Sequence, residues 1–169
     1  SVLYARPAPS ASSHHRPIRL SRSLAVGWTS PASGTRGGLE PSAPFVILGD
    51  LNSDPADGDS WPGAIEQLLR HSRVQDPKPT SDGAVEAAEL QGGANAEHVG
   101  EARYDTADFA EPTPGNLRVD YVLPVRELQI ASSAVYWPRR GEPGSELTGS
   151  HPFPTSDHRL VRVDLQVKA

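Results

Sequence analysis

Two polar side chains follow a short apolar run near residue 50, and their types suit phosphoester chemistry. The run at residues 45–48 (FVIL) is typical of a buried strand, and Gly49, Asp50, Leu51 and Asn52 follow it. Because Asp50 and Asn52 are two residues apart, both side chains point the same way in an extended chain. Their carboxylate and amide could hold a water molecule and a phosphoryl oxygen together. The alternative interpretation is an Asx turn that ends the strand.

Two later segments also place ionisable side chains in or beside strands. Asp120 lies within the apolar run at residues 117–123 (LRVDYVL), where an unpaired acid would be costly to bury. It belongs either to a site, to a solvated face or to a salt bridge with Arg118. Asp157 and His158 directly precede the last predicted strand, and adjacent side chains of an extended chain project to opposite sides. One of them could bind a metal ion while the other reaches a phosphate, and the alternative is a solvated loop.

The elements that must position these side chains are short and joined by long loops. With 17 Pro and 15 Gly among 169 residues, the composition favours a sheet-rich fold with extensive loops. Residues 76–117 are rich in Pro, Gly and acids, and a loop of that length is usually functional or disordered. The last predicted strand should turn its odd-numbered residues 161–167 towards the core. The predicted elements are strands at 45–48, 117–123, 128–137 and 159–167, a short helix at 63–71 and one helical turn within 85–90.

The first 43 residues differ in composition from the rest of the chain. They are rich in Ser, Pro, Arg and Gly, so we expect residues 1–43 to be mostly irregular or disordered, with hints of short strands at 18–20 and 24–26. Residues 44–168 form the predicted domain. Acids outnumber basic residues after residue 40, which disfavours a broad nucleic-acid-binding surface and suits carboxylates gathered around a cation. No apolar stretch approaches the length of a membrane span.

Taken together, three strings in this order resemble a known family. FVILGDLNSDP, RVDYVLP and SDHRLV are similar to the C-terminal signature motifs of the endonuclease/exonuclease/phosphatase superfamily, whose fold is that of DNase I. Residues 92–116 also resemble a bacterial subgroup of that family whose members are often secreted. The resemblance covers residues 37–167. It implies an α+β fold, a DNase I-like αββα sandwich with loop-rich connections, of which this chain would hold the C-terminal half.

The resemblance also implies roles for individual residues. Asp50 would bind or activate the attacking water, and Asn52 would help to hold the phosphate and orient Asp50. His158 would contact the scissile phosphate, and Asp120 would orient its imidazole. Asp157 would belong to the cation site, normally for Mg²⁺ or Mn²⁺, and hard cations of this kind prefer oxygen ligands. The implied function is metal-dependent hydrolysis of a phosphoester, either a nucleic acid or a small phosphodiester, by an enzyme of the nuclease or phosphodiesterase type.

Two family features are not visible in the sequence, and they leave a second hypothesis open. The first half of the family domain supplies a metal-binding Glu, but Glu40 is the only acid before Asp50 and its context does not match. The family also has a His or Tyr upstream, for which His14 and His15 are candidates or a chance pair. The alternative hypothesis is therefore an inactive, truncated remnant. A nucleotide-binding α/β domain is a further rival, but the sequence contains no Gly-x-Gly-x-x-Gly or Walker-type loop.

Overall fold

The computed structural model describes residues 2–4, 28–29, 36–37, 42–109, 113–149 and 152–166. Within these residues the chain has an α+β fold of short strands and short helices. The strands are β1 (Val2–Tyr4), β2 (Trp28–Thr29), β3 (Arg36–Gly37), β4 (Val46–Asp50), β5 (Ala107–Asp108), β6 (Asn116–Leu117), β7 (Asp120–Pro124), β8 (Gln129–Tyr136) and β9 (Leu160–Gln166). The α-helices are α1 (Glu66–Leu69), α2 (Asp82–Gln91) and α3 (Ser145–Thr148), and 3₁₀ turns span Gly93–Glu97 and Ala102–Tyr104.

The strand that carries Asp50 lies in the middle of a three-stranded sheet. In this sheet β1 runs parallel to β4, and β7 runs antiparallel to β4 on the other side. The register pairs Ile47 with Leu123 and Asp50 with Asp120. Because directly paired residues share a face, Ile47 and Leu123 enter the core while the two acids emerge on the opposite face. The main core consists of Phe45, Ile47, Ile65, Leu68, Val74, Tyr121, Leu123 and Val125.

The prediction of a single strand at residues 117–123 is wrong, because the chain passes from one sheet to another in the middle of this run. β6 pairs with β5, whereas β7 pairs with β4. Between them, the Arg118 amide donates to Asp54 Oδ2 at 2.7 Å, and the Val119 and Asp120 amides donate to Thr106 Oγ1 at 3.0 and 2.9 Å. Side chains therefore take the backbone donors that a continuous ladder would use.

The last two strands form a separate two-stranded sheet. β8 and β9 pair antiparallel, close to the ranges predicted for them. Val161, Val163 and Leu165 are only half-buried, while the even-numbered residues of β9 are exposed. The predicted alternation is thus present, but the predicted core contact is partial because the main core contains none of the residues of β8 or β9. Val167 lies outside the described residues.

The segment predicted as a long loop contains a helix that packs against the end of β8. α2 is longer than the single turn predicted, because Ser81 begins it as an N-cap and its Oγ accepts from the Ala84 amide at 3.1 Å. Ala84 packs with Val135 and Trp137 in a small core of its own. The helix predicted at 63–71 is shorter than expected, since only α1 is α-helical.

Much of the N-terminal segment lies outside the described residues. Within residues 1–43, β1, β2 and β3 are described, and the hints of strands at 18–20 and 24–26 fall outside the description. The boundary between residues 43 and 44 stays a prediction. Among the described residues, none of the helices has both the length and the apolarity needed to cross a membrane.

Gly83 provides a test of how closely α2 packs against the backbone of Trp137 and Pro138. A Cβ at Gly83 would overlap the Trp137 carbonyl oxygen and lie 2.7 Å from the Pro138 carbonyl oxygen. Gly83→Ala normally stabilises a helix by about 0.5–1 kcal/mol, but here we expect it to lower the free energy of unfolding, because backbone must move. Urea denaturation measures the change, with the exposed Glu89→Ala on the same helix as the control. An increase in stability for Gly83→Ala would contradict the packing.

Candidate active site

Asp50 is held in one orientation by the residue two positions later. The Asn52 backbone amide donates to Asp50 Oδ1 at 2.8 Å, and its side-chain Nδ2 donates to Asp50 Oδ2 at 2.8 Å. Asn52 adopts a left-handed backbone conformation (φ 47°), which Asn tolerates better than most residues. The Leu51 amide donates to the Val119 carbonyl at 2.8 Å and joins this turn to the start of β7. Both oxygens of the carboxylate are therefore fixed but retain lone pairs.

His158 lies against Asp120, although the two residues are far apart in sequence. His158 Nδ1 is 2.9 Å from Asp120 Oδ2, and the side chains are 30% and 17% exposed. The hydrogen bond to Asp120 raises the pKa of His158 above its ordinary value, burial opposes this shift, and the charges of Asp120, Asp50 and Asp157 add to it. The Phe109 ring packs edge-on against the imidazole, with centroids 5.4 Å apart. The Asp120 carboxylate thus orients the imidazole, and the Phe109 ring packs against it.

Three of the predicted site residues converge closely enough to share one cation. Asp50, Asp120 and His158 each offer a ligand atom, and these atoms all lie within 4.8 Å of one another. Two carboxylates fit a hard divalent cation, because such ions take oxygen ligands and keep some of their own waters. The sequence motifs assigned other roles to all three residues. Within the described ranges, no other group of three or more His, Cys, Asp or Glu side chains brings its ligand atoms this close together.

Asp157, the predicted metal ligand, lies beside this group but is not a member of it. Asp157 is half-buried, and Ser156 Oγ donates to Asp157 Oδ1 at 3.4 Å. Adjacent residues diverge in an extended chain, as the sequence predicted for Asp157 and His158. The assignment of Asp157 to the metal stays a prediction, as do the roles of Asp50, Asn52, Asp120 and His158. His14, His15 and Glu40 lie outside the described residues.

The segment at residues 105–109 joins the two halves of the site, a role that the sequence analysis did not foresee. Thr106 Oγ1 accepts from the Asp120 amide, and the Thr106 carbonyl accepts from the Arg159 amide at 2.7 Å. The Asp108 amide donates to the Asp157 carbonyl at 2.8 Å. This joining segment, residues 105–109, therefore contacts both the strand of Asp120 and the turn of His158. Thr106 and Asp108 alternate with Ala107 and Phe109, but this run is too short to indicate the role from sequence.

A cleft of about 220 Å³ opens next to Asn52 and Phe109. Its apolar wall includes Phe109, Leu117 and Val119, and the acids Asp54, Asp57 and Asp59 line the rest, together with Asn52, Gly58, Ser60 and Pro114. Two residues of the cleft therefore contact the candidate catalytic groups, Asn52 through Asp50 and Phe109 through His158.

Backbone amides orient two of the acids of the cleft, Asp54 and Asp57. Asp57 Oδ1 and Oδ2 accept from the amides of Val99 and Gly100, both at 2.8 Å. Asp54 accepts from several amides in the same way. Burial raises the pKa of nearby Asp105 to about 8, and the charges of Asp54 and Asp57 contribute. Burial is the larger cause, and the two acids of the cleft add to it.

The Asp120–His158 contact predicts how the pKa of His158 changes when Asp120 is replaced. Asp120→Asn removes the main cause of the raised imidazole pKa, so we expect the His158 pKa to fall relative to the wild type. The protonated fraction at neutral pH should fall with it. NMR titration of the imidazole C–H signals measures both values, with Asp164→Asn on the exposed face of β9 as the control. An unchanged His158 pKa in Asp120→Asn would contradict the contact.

Comparison with known proteins agrees with the motifs and the fold. The family model described as Endonuclease/Exonuclease/phosphatase matches residues 2–158, a range that begins well before residue 37, where the motif resemblance starts. The mixed helices, strands and small sheets agree with the DNase I-like α+β fold of that family. Searches of curated proteins and of solved structures give no significant match. Because the family match covers most of the chain, the protein belongs to the endonuclease/exonuclease/phosphatase family of phosphoesterase-type hydrolases.

Proposed function

We propose that the protein is a divalent-metal-dependent phosphoester hydrolase whose reaction centre is the group Asp50, Asp120 and His158. The observation that supports this most directly is the convergence of the three ligand atoms within 4.8 Å at the ends of β4 and β7 and before β9. Three motifs that are distant in sequence thus meet at one point. A set of oriented carboxylates with an imidazole is what metal-assisted hydrolysis requires.

A divalent cation, Mg²⁺ or Mn²⁺, would neutralise charge on the phosphoryl group when bound. Asp157, Asp50 and Asp120 are the carboxylates available to hold it, and their oxygens suit such an ion. Asp120 then has two tasks, since one oxygen already contacts His158 at 2.9 Å. A carboxylate with two oxygens can serve both partners at once.

The protein's own residues supply the orientation that hydrolysis needs. Asp50, held by both nitrogens of Asn52, is a fixed acceptor for a proton of the attacking water. The His158 ring, held through Nδ1 by Asp120, leaves Nε2 free to face a phosphoryl oxygen, to which it donates when the imidazole is protonated. The contact with Asp120 raises the His158 pKa and so favours that form. Each group is fixed before the substrate binds, which lowers the entropic cost of reaching the transition state.

The cleft beside Asn52 favours a small phosphoester over a polynucleotide. Three of its lining residues are acids, and none of its lining residues among those described is basic. Flanking phosphates of a nucleic acid would be repelled there. An apolar or neutral leaving group would instead pack on Phe109, Leu117 and Val119. We therefore propose a phosphodiester or phosphomonoester with an uncharged organic group as the substrate.

Hydrolysis of bis(p-nitrophenyl) phosphate with Mg²⁺ or Mn²⁺ tests the proposed reaction. We expect metal-dependent turnover by the wild type and a loss of kcat of about 10²–10⁴-fold in Asp50→Ala and in His158→Ala, because each removes a group that acts on the reacting atoms. Asp164→Asn serves as the matched surface control and should keep wild-type activity. Circular dichroism establishes that each variant is folded.

Absence of metal-dependent turnover in the folded wild type would contradict the proposal. That result would favour the rival hypothesis of an inactive remnant, which rests on the missing family Glu motif. The family match from residue 2 onwards does not favour the remnant.

Substrate choice is tested by reversing one charge of the cleft. Asp59 is exposed and lines the cleft, so Asp59→Lys should raise kcat/KM for a short single-stranded oligonucleotide relative to bis(p-nitrophenyl) phosphate. Glu89→Lys makes the same charge change on the exposed face of α2 and should leave the ratio unaltered. An equal ratio in wild type and Asp59→Lys would show that the cleft does not contact the substrate.

A further inference from the structure

Arg159, the residue after the candidate catalytic histidine, is buried instead of facing solvent. Its side chain is 1% exposed. Its guanidinium lies over the Trp137 ring at 4.3 Å and over the Phe153 ring at 5.0 Å. Burying this charge costs free energy unless it is paired, so the partners of Arg159 must compensate for its lost hydration.

The partners of Arg159 are the turn that carries His158 and the joining segment. Nη1 donates to the Ser156 carbonyl at 2.6 Å, and Nη2 donates to Asp108 Oδ2 at 3.1 Å. Asp108 also accepts from Gln91 Nε2 at 2.8 Å, which ties it to the end of α2. Its backbone amide reaches the Asp157 carbonyl. The residues before and after His158 are thus both held by the joining segment.

We propose that Asp108 and Arg159 form a positioning pair that fixes the turn at residues 156–158, so that His158 stays against Asp120. This inference rests on the proposed function, in which His158 acts on the phosphate. Neither residue of the pair touches the substrate. Arg159 fixes the Ser156 carbonyl at one side of the turn, and Asp108 fixes both the guanidinium and the Asp157 carbonyl.

The pair is suited to this role because its geometry is rigid. The planar guanidinium is held by stacking on Trp137 and Phe153 as well as by two directional hydrogen bonds. Without the Asp108 charge, the buried guanidinium loses its counter-ion, and an amide in its place can accept from Arg159 or from Gln91 but not from both. Arg159 would then move towards water. The Ser156 carbonyl would lose its donor in consequence. A displacement of about 1 Å at a catalytic group can lower the rate by about 100-fold.

A second buried pair provides a matched control. Arg118 and Asp76 have side chains 6% and 12% exposed, and the Arg118 guanidinium lies over the Tyr121 ring at 4.7 Å. Both terminal nitrogens of Arg118 donate to Asp76, so they are spent on this partner and not on the turn of His158. Asp76→Asn therefore removes the same kind of charge from the same kind of surroundings.

The experiment compares Asp108→Asn with Asp76→Asn in the full chain. Both variants should lower the free energy of unfolding in urea. Only Asp108→Asn should lower kcat for bis(p-nitrophenyl) phosphate, by about 10- to 100-fold with little change in KM, as is typical when a group that orients a catalytic residue is lost. It should also speed amide hydrogen exchange at residues 156–159, whereas Asp76→Asn should not.

Equal kcat values and equal exchange at residues 156–159 in the two variants would overturn the proposal. If Asp108→Asn does not fold, Arg159→Lys is the second variant, because lysine keeps the charge but cannot reach two acceptors in one plane. Wild-type kcat retained in Arg159→Lys would then overturn it. Hydrogen exchange also separates the two proposals. If the wild type does not hydrolyse the substrate, the proposed function fails, and exchange at residues 156–159 still decides whether the pair positions the turn.

Discussion

The antiparallel register of β4 with β7 is the constraint on which the rest of the site depends, because it sets Asp50 directly opposite Asp120. A slip by one residue would turn one of these carboxylates into the core and bring Ile47 out of it. The apolar contacts between Ile47 and Leu123 therefore hold the register, and the register holds the site. His158 comes from elsewhere in the chain, and its place is set by hydrogen bonds to this framework.

Those hydrogen bonds explain why polar groups are buried beside the site. Thr106 Oγ1 accepts two amides at the point where the chain leaves β6, and the Asp108 amide holds the Asp157 carbonyl. Buried polar groups are costly unless they are satisfied, so each of these contacts must be kept in the folded chain. The result is a site whose groups are oriented in advance, carried by strands that are too short to orient them alone.

The sequence indicated the residues of the site better than the segments that position them. Asp50, Asn52, Asp120 and His158 stood in short motifs with strong local patterns, and the structure brings these side chains together. The break after Leu117 could not be predicted, because it depends on Asp54 and Thr106 taking backbone donors from a distant part of the chain. The N-cap at Ser81 was a local signal for the longer α2. The joining segment has no periodic pattern, so its role is visible only in three dimensions.

We propose that this framework gathers its acids around one divalent cation. The anomalous scattering of Mn²⁺ in crystals of the protein measures this directly, because it locates the ion independently of any activity. We expect one strong peak within about 2–2.6 Å of oxygens from Asp50, Asp120 or Asp157 and beside His158, and loss of that peak in Asp50→Ala. A Mn²⁺ peak bound elsewhere, with none at these residues, would contradict it.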